Sequence, residues 1–232
     1  MMDISNLVTD VWNQYMQLQK AHPHIGSMIT AEFTFVASDM ISQLMIDKKI
    51  NPKKLRYTAI LAPFYGASID AVMQSGELVG AYISANPFLK SALGPNLFGN
   101  IMNSYFFVNN TVGEKSDYSI TALFKNYAGI FKNYSGTCKE RWRSFTNKFK
   151  ERYIDNIPGA NYKIALIGTL TAWNVIQTLN YAYFPEELRT PVCLGAGFLW
   201  TIILTAGSIV GGRKIAQQTT HIMDKNDSYT SS

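Results

Sequence analysis

Charge is scarce in this chain, and its distribution is uneven. Asp, Glu, Lys and Arg make up 16% of the 232 residues, against about 25% in an average soluble domain. The ranges 164–185 and 190–212 contain no charged residue, and a short turn with two carboxylates and an arginine separates them. An apolar helix needs about 20 residues to cross the roughly 30 Å of bilayer hydrocarbon. Both ranges therefore predict membrane-spanning helices, and the alternative is a buried helical hairpin in a soluble bundle.

Cysteine and histidine are also scarce. Cys138 and Cys193 lie far apart in sequence, and the chain has three histidines, a set that predicts neither a disulfide nor a metal site. The sequence lacks the phosphate-binding motif G-x-x-x-x-G-K-S/T, the zinc motif H-E-x-x-H and the nucleophile motif G-x-S-x-G. We therefore expect no bound metal, no cofactor and no enzymatic activity.

The apolar segments and the basic residues together predict a polytopic membrane protein. Five segments have the length of a membrane span, near 25–46, 57–83, 88–112, 162–184 and 190–212. With these spans, all of the 21 lysines and arginines except Lys20, Lys90 and Arg189 fall on one side of the membrane, in agreement with the positive-inside rule. A four-span arrangement would leave the last segment on the membrane surface. The expected fold is an all-α membrane helix bundle of four to five spans, forming a single domain over residues 1–232.

Three segments outside the spans have distinct compositions. Residues 1–24 form an amphipathic lead-in without the apolar core of a cleavable targeting signal. Residues 113–161 form a basic loop, and residues 213–232 form a polar tail. The apolar stripe of the lead-in has helical spacing and consists of Ile4, Leu7, Val8, Val11, Tyr15 and Leu18. We expect this lead-in to be a helix that lies in the membrane interface before the first span.

The basic loop contains a second amphipathic segment, 139–157, in which four aromatic rings follow helical spacing and basic residues occupy the other faces. This pattern is typical of a helix in the membrane interface, with its rings toward lipid and its basic side chains toward anionic head groups such as those of cardiolipin. The alternatives are a helix that docks on a partner protein and a short soluble cap. The candidate docking residues are Trp142, Arg143, Phe145, Lys148, Phe149 and Arg152. Since membrane topology accounts for the basic residues, we expect no nucleic-acid partner.

A stripe of polar residues interrupts the first two predicted spans, on one face of each helix. The stripe consists of Glu32, Asp39, Gln43, Asp70 and Glu77. A carboxylate in hydrocarbon costs at least ~2.5 kcal/mol, so such residues usually face the bundle interior or water. The polar stripe therefore predicts a cation-favouring path between the first two spans. The alternative is that the carboxylates pair with Arg56, Lys90 or backbone donors and fix the bundle.

A spaced motif in the fourth predicted span resembles the signature of a known family. The motif consists of Trp173, Gln177, Asn180, Pro185 and Arg189, followed by Trp200 in the next span. It resembles the signature of the family of the twenty-two-kilodalton peroxisomal membrane protein and its mitochondrial inner-membrane relatives. Trp12 and His22-Pro23 near the N-terminus also match the family pattern. Asn174 stands where the family has a proline, and the basic loop is longer than we expect for the family.

The resemblance implies a channel-like membrane protein, a pore for small solutes or ions that the polar stripe lines. The longer loop favours an alternative, a structural accessory subunit of a large mitochondrial inner-membrane complex such as a respiratory complex. The expected partners are membrane lipids, together with such a complex or further copies of the chain in a homo-oligomer. We expect a location in the mitochondrial inner membrane, with the peroxisomal membrane as the alternative. Gln177 and Asn180 should bond across helices at the exit turn, and Arg189 should bind a carboxylate or a lipid phosphate.

Overall fold

The computed structural model describes residues 4–132 and 134–230, with side chains between residues 6 and 210 except those of 133 and 208. The described residues form ten α-helices and contain no β-strand, which confirms the predicted all-α class. The helices are α1 (Ile4–Ala21), α2 (Pro23–Asp47), α3 (Pro52–Tyr82), α4 (Pro87–Leu93), α5 (Pro95–Lys115), α6 (Ile120–Ile130), α7 (Cys138–Arg152), α8 (Gly159–Gly168), α9 (Asn174–Tyr183) and α10 (Glu186–Thr230). A 3₁₀ turn (Ile154–Asn156) follows α7, and a π-helical turn (Thr169–Trp173) joins α8 to α9.

Local sequence accounts for the starts of several helices. Proline at the first helical position loses no hydrogen bond, because the N–H there has no partner within the helix. The prolines at such positions are Pro23, Pro52, Pro87 and Pro95. Asn51 and Asn86 cap α3 and α4 by accepting backbone N–H groups of the first turn. The connections between α2, α3 and α4 are therefore short and keep consecutive helices side by side.

Two predicted segments differ in extent from the helices of the structure. The third predicted span, 88–112, is divided between α4 and α5, because Gly94 ends the first helix and Pro95 opens the second. The last helix, α10, continues as far as Thr230, so most of the predicted polar tail is helical. The other three predicted spans correspond to α2, α3 and the α8–α9 pair.

The segment 113–161, predicted as a basic loop, is largely helical and is part of the packed structure. Ser119 caps α6 by accepting a backbone N–H of its first turn. Thr137 and Glu140 form a capping box at the start of α7. Leu123 of α6 is buried in the core. These caps and this apolar contact explain why the segment folds onto the bundle.

The centre of the bundle is built from α2, α3, α5 and α10. The helices α2 and α3 pack along each other, and α10 packs against both α2 and α5. At Gly66 an added Cβ would lie 2.5 Å from the Ser27 carbonyl oxygen, so a larger residue there would force α2 and α3 apart. The rings of Phe35, Tyr65 and Phe106 come from α2, α3 and α5 and meet inside the core.

One described range, Glu186–Gly207 of α10, is long and apolar enough over its 22 residues to cross a membrane by length and composition. No other range among the described residues meets that condition. Its Leu194 and Leu204 side chains are buried in the core, whereas those of Leu199 and Ile203 are exposed. The range therefore has one packed face and one exposed apolar face.

Candidate functional site

Three cavities follow one another along the bundle and form the candidate functional site. The first cavity is lined on α3 by residues between Asp70 and Glu77. The second cavity is lined on the same helix by residues between Tyr65 and Met73, and the third cavity by residues between Tyr57 and Tyr65. We call them the vestibule, the chamber and the end cavity, and their volumes are about 380, 130 and 10 Å³. Neighbouring cavities share a wall, because Met73 lines the first two and Tyr65 lines the last two.

The helices α10 and α2 also line the three cavities in this order along their lengths. On α10 the vestibule is lined by residues between 186 and 190, the chamber by residues between 193 and 204, and the end cavity by Thr205. On α2, Pro23 lies at the vestibule and Asp39 lies at the end cavity. The cavities therefore form a row along the length of the bundle.

The vestibule contains Asp70, which is 4% exposed. Its Oδ1 accepts hydrogen bonds from Ser27 Oγ at 3.3 Å and from Thr190 Oγ1 at 2.9 Å. Its Oδ2 accepts a bond from Gln74 Nε2 at 2.9 Å and lies 2.5 Å from His24 Nδ1. The carboxylate thus joins α2, α3 and α10, and both of its oxygens are occupied by protein partners.

At the edge of the vestibule, Glu77 pairs with two basic side chains. Its Oε2 lies 2.9 Å from Lys90 Nζ, and its Oε1 accepts a bond from Arg189. Both basic groups also lie over the ring of Tyr181, at 5.7 and 5.1 Å from its centroid. From the sequence, Arg189 was expected to bind a carboxylate or a lipid phosphate. In the structure its partner is the carboxylate of Glu77, a residue of the predicted polar stripe.

At the opposite end of the row, Asp39 is 1% exposed and lies in a charged cluster. Its Oδ2 accepts hydrogen bonds from Thr58 Oγ1 at 2.8 Å and from Gln43 Nε2 at 3.0 Å. Lys54 Nζ lies 3.6 Å from Asp39 Oδ1 and 3.8 Å from Glu114 Oε1. The sequence did not predict Lys54 and Glu114 as partners, because both lie outside the predicted spans, where charged residues are common.

Three aromatic rings separate the chamber from the end cavity. Phe35, Tyr65 and Phe106 line both cavities, and their ring centroids are 4.9 to 5.9 Å apart. Asn109 Nδ2 donates to the Tyr65 hydroxyl at 2.9 Å and fixes its ring. We call these three residues the aromatic barrier. Sequence reasoning missed them, because an isolated ring in an apolar segment carries no signal of its neighbours.

The chamber is mostly apolar, and two pairs of polar groups in its wall bond to each other. Asn103 Nδ2 donates to Thr169 Oγ1 at 3.0 Å, and Gln177 Nε2 donates to Cys193 Sγ at 2.9 Å. The indole rings of Trp173 and Trp200 also line the chamber and meet edge to face at 6.3 Å. Three motif residues, the two tryptophans and Gln177, therefore contribute to the chamber wall.

The remaining motif residues hold the exit turn between α9 and α10. Asn180 Nδ2 donates to the Arg189 carbonyl oxygen at 2.9 Å and to Gln177 Oε1 at 3.2 Å. Pro185 is exposed in the turn itself, where α9 has ended and α10 has not begun. The bonds across helices predicted for Gln177 and Asn180 are therefore both present, since each side chain of α9 bonds to a residue of α10.

The polar stripe does not form one continuous path. Asp39 lines the end cavity and accepts a hydrogen bond from Gln43, whereas Asp70 and Glu77 line the vestibule. Glu32 lies outside the linings of the three cavities, and no donor among the described residues bonds its buried Oε2. The single face expected from sequence is divided because the aromatic barrier and the apolar chamber lie between its two ends.

The predicted docking residues occupy α7. Their rings form a row in which Trp142, Phe145, Phe149 and Tyr153 stack at centroid distances of 5.6, 6.0 and 5.0 Å. The Tyr153 hydroxyl lies 2.8 Å from the Ser104 hydroxyl of α5, and burial raises the pKa of this tyrosine. One end of the row is therefore fixed to the bundle, while Trp142 at the other end is exposed.

The three basic residues among the predicted docking positions also differ in whether they contact the rest of the protein. Lys148 Nζ bonds to the Lys132 carbonyl oxygen and lies 4.8 Å from the ring centroid of Tyr134. Arg152 packs closely over Gly129 of α6. Arg143 is exposed. Two of the three predicted basic docking residues are thus used within the protein.

Comparison with known proteins gives no relative for this arrangement. No protein-family model matches the chain, and neither a curated protein nor a solved structure is significantly similar to it. The family resemblance stays a prediction that rests on the sequence motif.

Proposed function

We propose that the chain is an integral organelle-membrane protein whose helix bundle forms a passage for small solutes, closed in the conformation described here. The observation that carries this proposal is the row of three cavities, which has the same order on α2, α3 and α10. A passage requires such a row, whereas a bundle that only supports other proteins does not. The aromatic barrier interrupts the row, which accounts for the closure.

The distribution of side chains supports four to five membrane spans. Large apolar side chains are exposed on α2, α5, α8 and α10, among them Phe33, Ile101, Ile167 and Leu199. The carboxylates of Asp39 and Asp70 instead lie inside the bundle with protein partners. An apolar exterior with the carboxylates turned into the bundle suits a hydrocarbon solvent. The inward polar residues also explain why α2 and α3, although long enough, are less apolar on average than a simple span.

The family resemblance and the charge distribution support an organelle location. The motif residues Trp173, Gln177 and Trp200 line the chamber, so the motif coincides with the proposed passage. We place the protein in the mitochondrial inner membrane, with the basic side toward the matrix. The peroxisomal membrane is the alternative that the same resemblance allows.

The aromatic barrier provides the test of the passage. Phe35→Ala removes one of its rings and should raise the flux of glycerol across proteoliposomes, measured by stopped-flow light scattering. Phe33→Ala is the matched control on the same helix, because Phe33 is 75% exposed and Phe35 is 7% exposed. The control removes the same atoms without opening the barrier, so its flux should equal that of the wild type.

Loss of a buried phenylalanine side chain costs about 3–5 kcal/mol of stability, so the test needs a milder variant. Phe35→Leu keeps most of the volume and should give an intermediate flux. Size-exclusion chromatography in detergent checks that each variant is folded. Equal flux through the wild type, Phe35→Ala and Phe35→Leu would contradict the proposed passage.

A second candidate function, a structural accessory subunit, is favoured by the exposed end of α7. Trp142 and Arg143 are both exposed there, and aromatic and arginine side chains are enriched at protein interfaces. Native electrophoresis after mild-detergent extraction separates the two functions. Comigration with a large complex at fixed stoichiometry supports the subunit, whereas a small oligomer that migrates alone supports the passage. Deletion of the whole segment 113–158 is unsuitable for this purpose, because it removes Leu123 from the core.

A further inference from the structure

We propose that the chamber binds one neutral, mostly apolar molecule about the size of a single aromatic ring, carrying one hydrogen-bond acceptor. This inference names the class of solute for the proposed passage and in that sense rests on the proposed function. Three properties of the chamber lead to it: its volume, the absence of charge in its lining and one poorly satisfied donor.

The volume of the chamber limits the size of its occupant. At about 130 Å³, the chamber is close to the roughly 150 Å³ of an apolar protein cavity that takes up benzene or xenon. Its wall includes the indole rings of Trp173 and Trp200 and the apolar side chains of Ile69, Val72 and Leu194. A flat ring of five or six atoms fits this volume and such a wall.

The lining of the chamber excludes ions. None of its 20 lining residues carries a charge. The carboxylates of the two neighbouring cavities are already engaged: Asp70 has protein partners on both oxygens, and Asp39 accepts two hydrogen bonds at Oδ2 and pairs with Lys54 at 3.6 Å. An ion in the chamber would lose its water without gaining an opposite charge, which is a large cost in a medium of low polarity. The chamber therefore favours a neutral solute, in contrast to the cation-favouring path that the polar stripe predicted.

One donor in the wall is available for a better acceptor. Gln177 Nε2 donates to Cys193 Sγ at 2.9 Å, and sulfur is a weak acceptor. Asn180 Nδ2 donates to the other end of the same amide, Gln177 Oε1, at 3.2 Å, which keeps the Nε2 group directed toward Cys193. An oxygen on the bound molecule would replace this weak hydrogen bond by a stronger one. The bound molecule should therefore carry one acceptor oxygen.

The experiment measures binding to the purified full-length protein in detergent micelles by fluorine NMR. Fluorophenol should give saturable line broadening that excess unlabelled phenol reverses. Fluorobenzene lacks the oxygen and should bind more weakly. Fluorobenzoate is charged and should give no saturable broadening.

A pair of glycine variants separates binding in the chamber from partition into detergent. Gly99 lines the chamber, and an added Cβ there would lie 3.9 Å from Thr169 Cγ2, so Gly99→Leu fills the space. Gly195 is exposed on α10 and has nothing within 4 Å of an added Cβ, so Gly195→Leu is the control. Saturable broadening by fluorophenol should be lost in the first variant and kept in the second.

The outcomes distinguish this inference from the proposed passage. Saturable broadening that both variants keep, or that fluorobenzoate gives as strongly as fluorophenol, would overturn the chamber site. The wild-type comparison of the three probes remains decisive if Gly99→Leu does not fold. Binding as expected, with glycerol flux unchanged in Phe35→Ala, would support the chamber site and contradict the passage. Increased glycerol flux in Phe35→Ala without saturable binding of fluorophenol would support the passage and contradict the chamber site.

Discussion

Lys53 and Lys54 are neighbours at the start of α3 with opposite surroundings. The Lys53 side chain is 66% exposed and pairs with Asp117 at the surface. The Lys54 side chain is 3% exposed and lies between Asp39 and Glu114. A surface ion pair contributes about 0–1 kcal/mol to stability. Loss of one partner from a buried ion pair lowers the stability more, since it leaves an uncompensated charge in the interior.

We therefore expect Lys54→Met to lower the free energy of unfolding by about 3–5 kcal/mol. Lys53→Met is the matched control and should lower it by at most about 1 kcal/mol. Denaturant titration in mild detergent measures the free energy of unfolding of both variants. Addition of Asp39→Asn to Lys54→Met should restore part of the loss, because it removes the unpaired carboxylate. Equal losses in the two single variants would show that Asp39 and Lys54 do not depend on each other.

Sequence spacing predicts which polar residues are internal, but not what they contact. Asp39 was expected inside because a carboxylate on an apolar helix face avoids hydrocarbon, and the structure buries it. Its cationic partner Lys54 comes from the next helix, and Thr190, a partner of Asp70, comes from the last. Such pairs depend on how two helices are aligned with each other. The spacing of residues within one helix gives no information about that alignment.

At the scale of one element, α7 begins with a capping box whose strength depends on pH. The Glu140 carboxylate accepts bonds from the Thr137 N–H at 2.7 Å and from its hydroxyl at 2.9 Å. These bonds hold the pKa of Glu140 below its ordinary value of 4.5. Since the carboxylate form is favoured in the folded helix, its stabilisation is complete above pH 4.5 and is lost as the pH falls through the lower folded pKa.

Hydrogen exchange, corrected for the intrinsic rate at each pH, should detect this loss in the first turn of α7. Glu140→Gln should abolish the pH dependence, because glutamine can accept the same bonds without titrating. Thr137→Ala should weaken the start of the helix by about 1 kcal/mol. Thr146→Ala in the middle of the same helix is its control and should change little. Protection that is independent of pH in the wild type would contradict a role for the Glu140 charge.

The same caps show how far elements can be predicted from sequence. Thr137 and Glu140 have the spacing of a capping box, and Pro95 follows a glycine, so both α7 and the break between α4 and α5 have local signals. We predicted 113–161 as a basic loop that contains one interfacial helix at 139–157, which corresponds to α7, and we did not predict α6. The helix α6 packs on the bundle because Leu123 buries apolar surface in the core, which is a tertiary effect.

At the scale of the whole molecule, the row of cavities was beyond sequence reasoning. Its lining combines residues of α1, α2, α3, α5, α9 and α10, so it depends on the register of six helices at once. The motif gave a partial signal, since Trp173, Gln177 and Trp200 all line the chamber. The aromatic barrier gave none, because each of its rings lies in an ordinary apolar segment.

Native Cys138 allows a test of the proposed membrane topology. With five spans, this exposed cysteine lies on the basic side, and the turn that contains exposed Ala85 lies on the other side. In sealed membranes from the source organelle, a membrane-impermeant maleimide should label Cys138 and Ala85→Cys from opposite sides. The Ala85→Cys variant also carries Cys138→Ser, and Cys138→Ser alone is the control, in which Cys193 within α10 should stay unlabelled. Labelling of both positions from the same side would contradict the topology, because the third span, 88–112, would then not cross the membrane. The passage would fail with it, since α5 of that span lines the chamber and the end cavity.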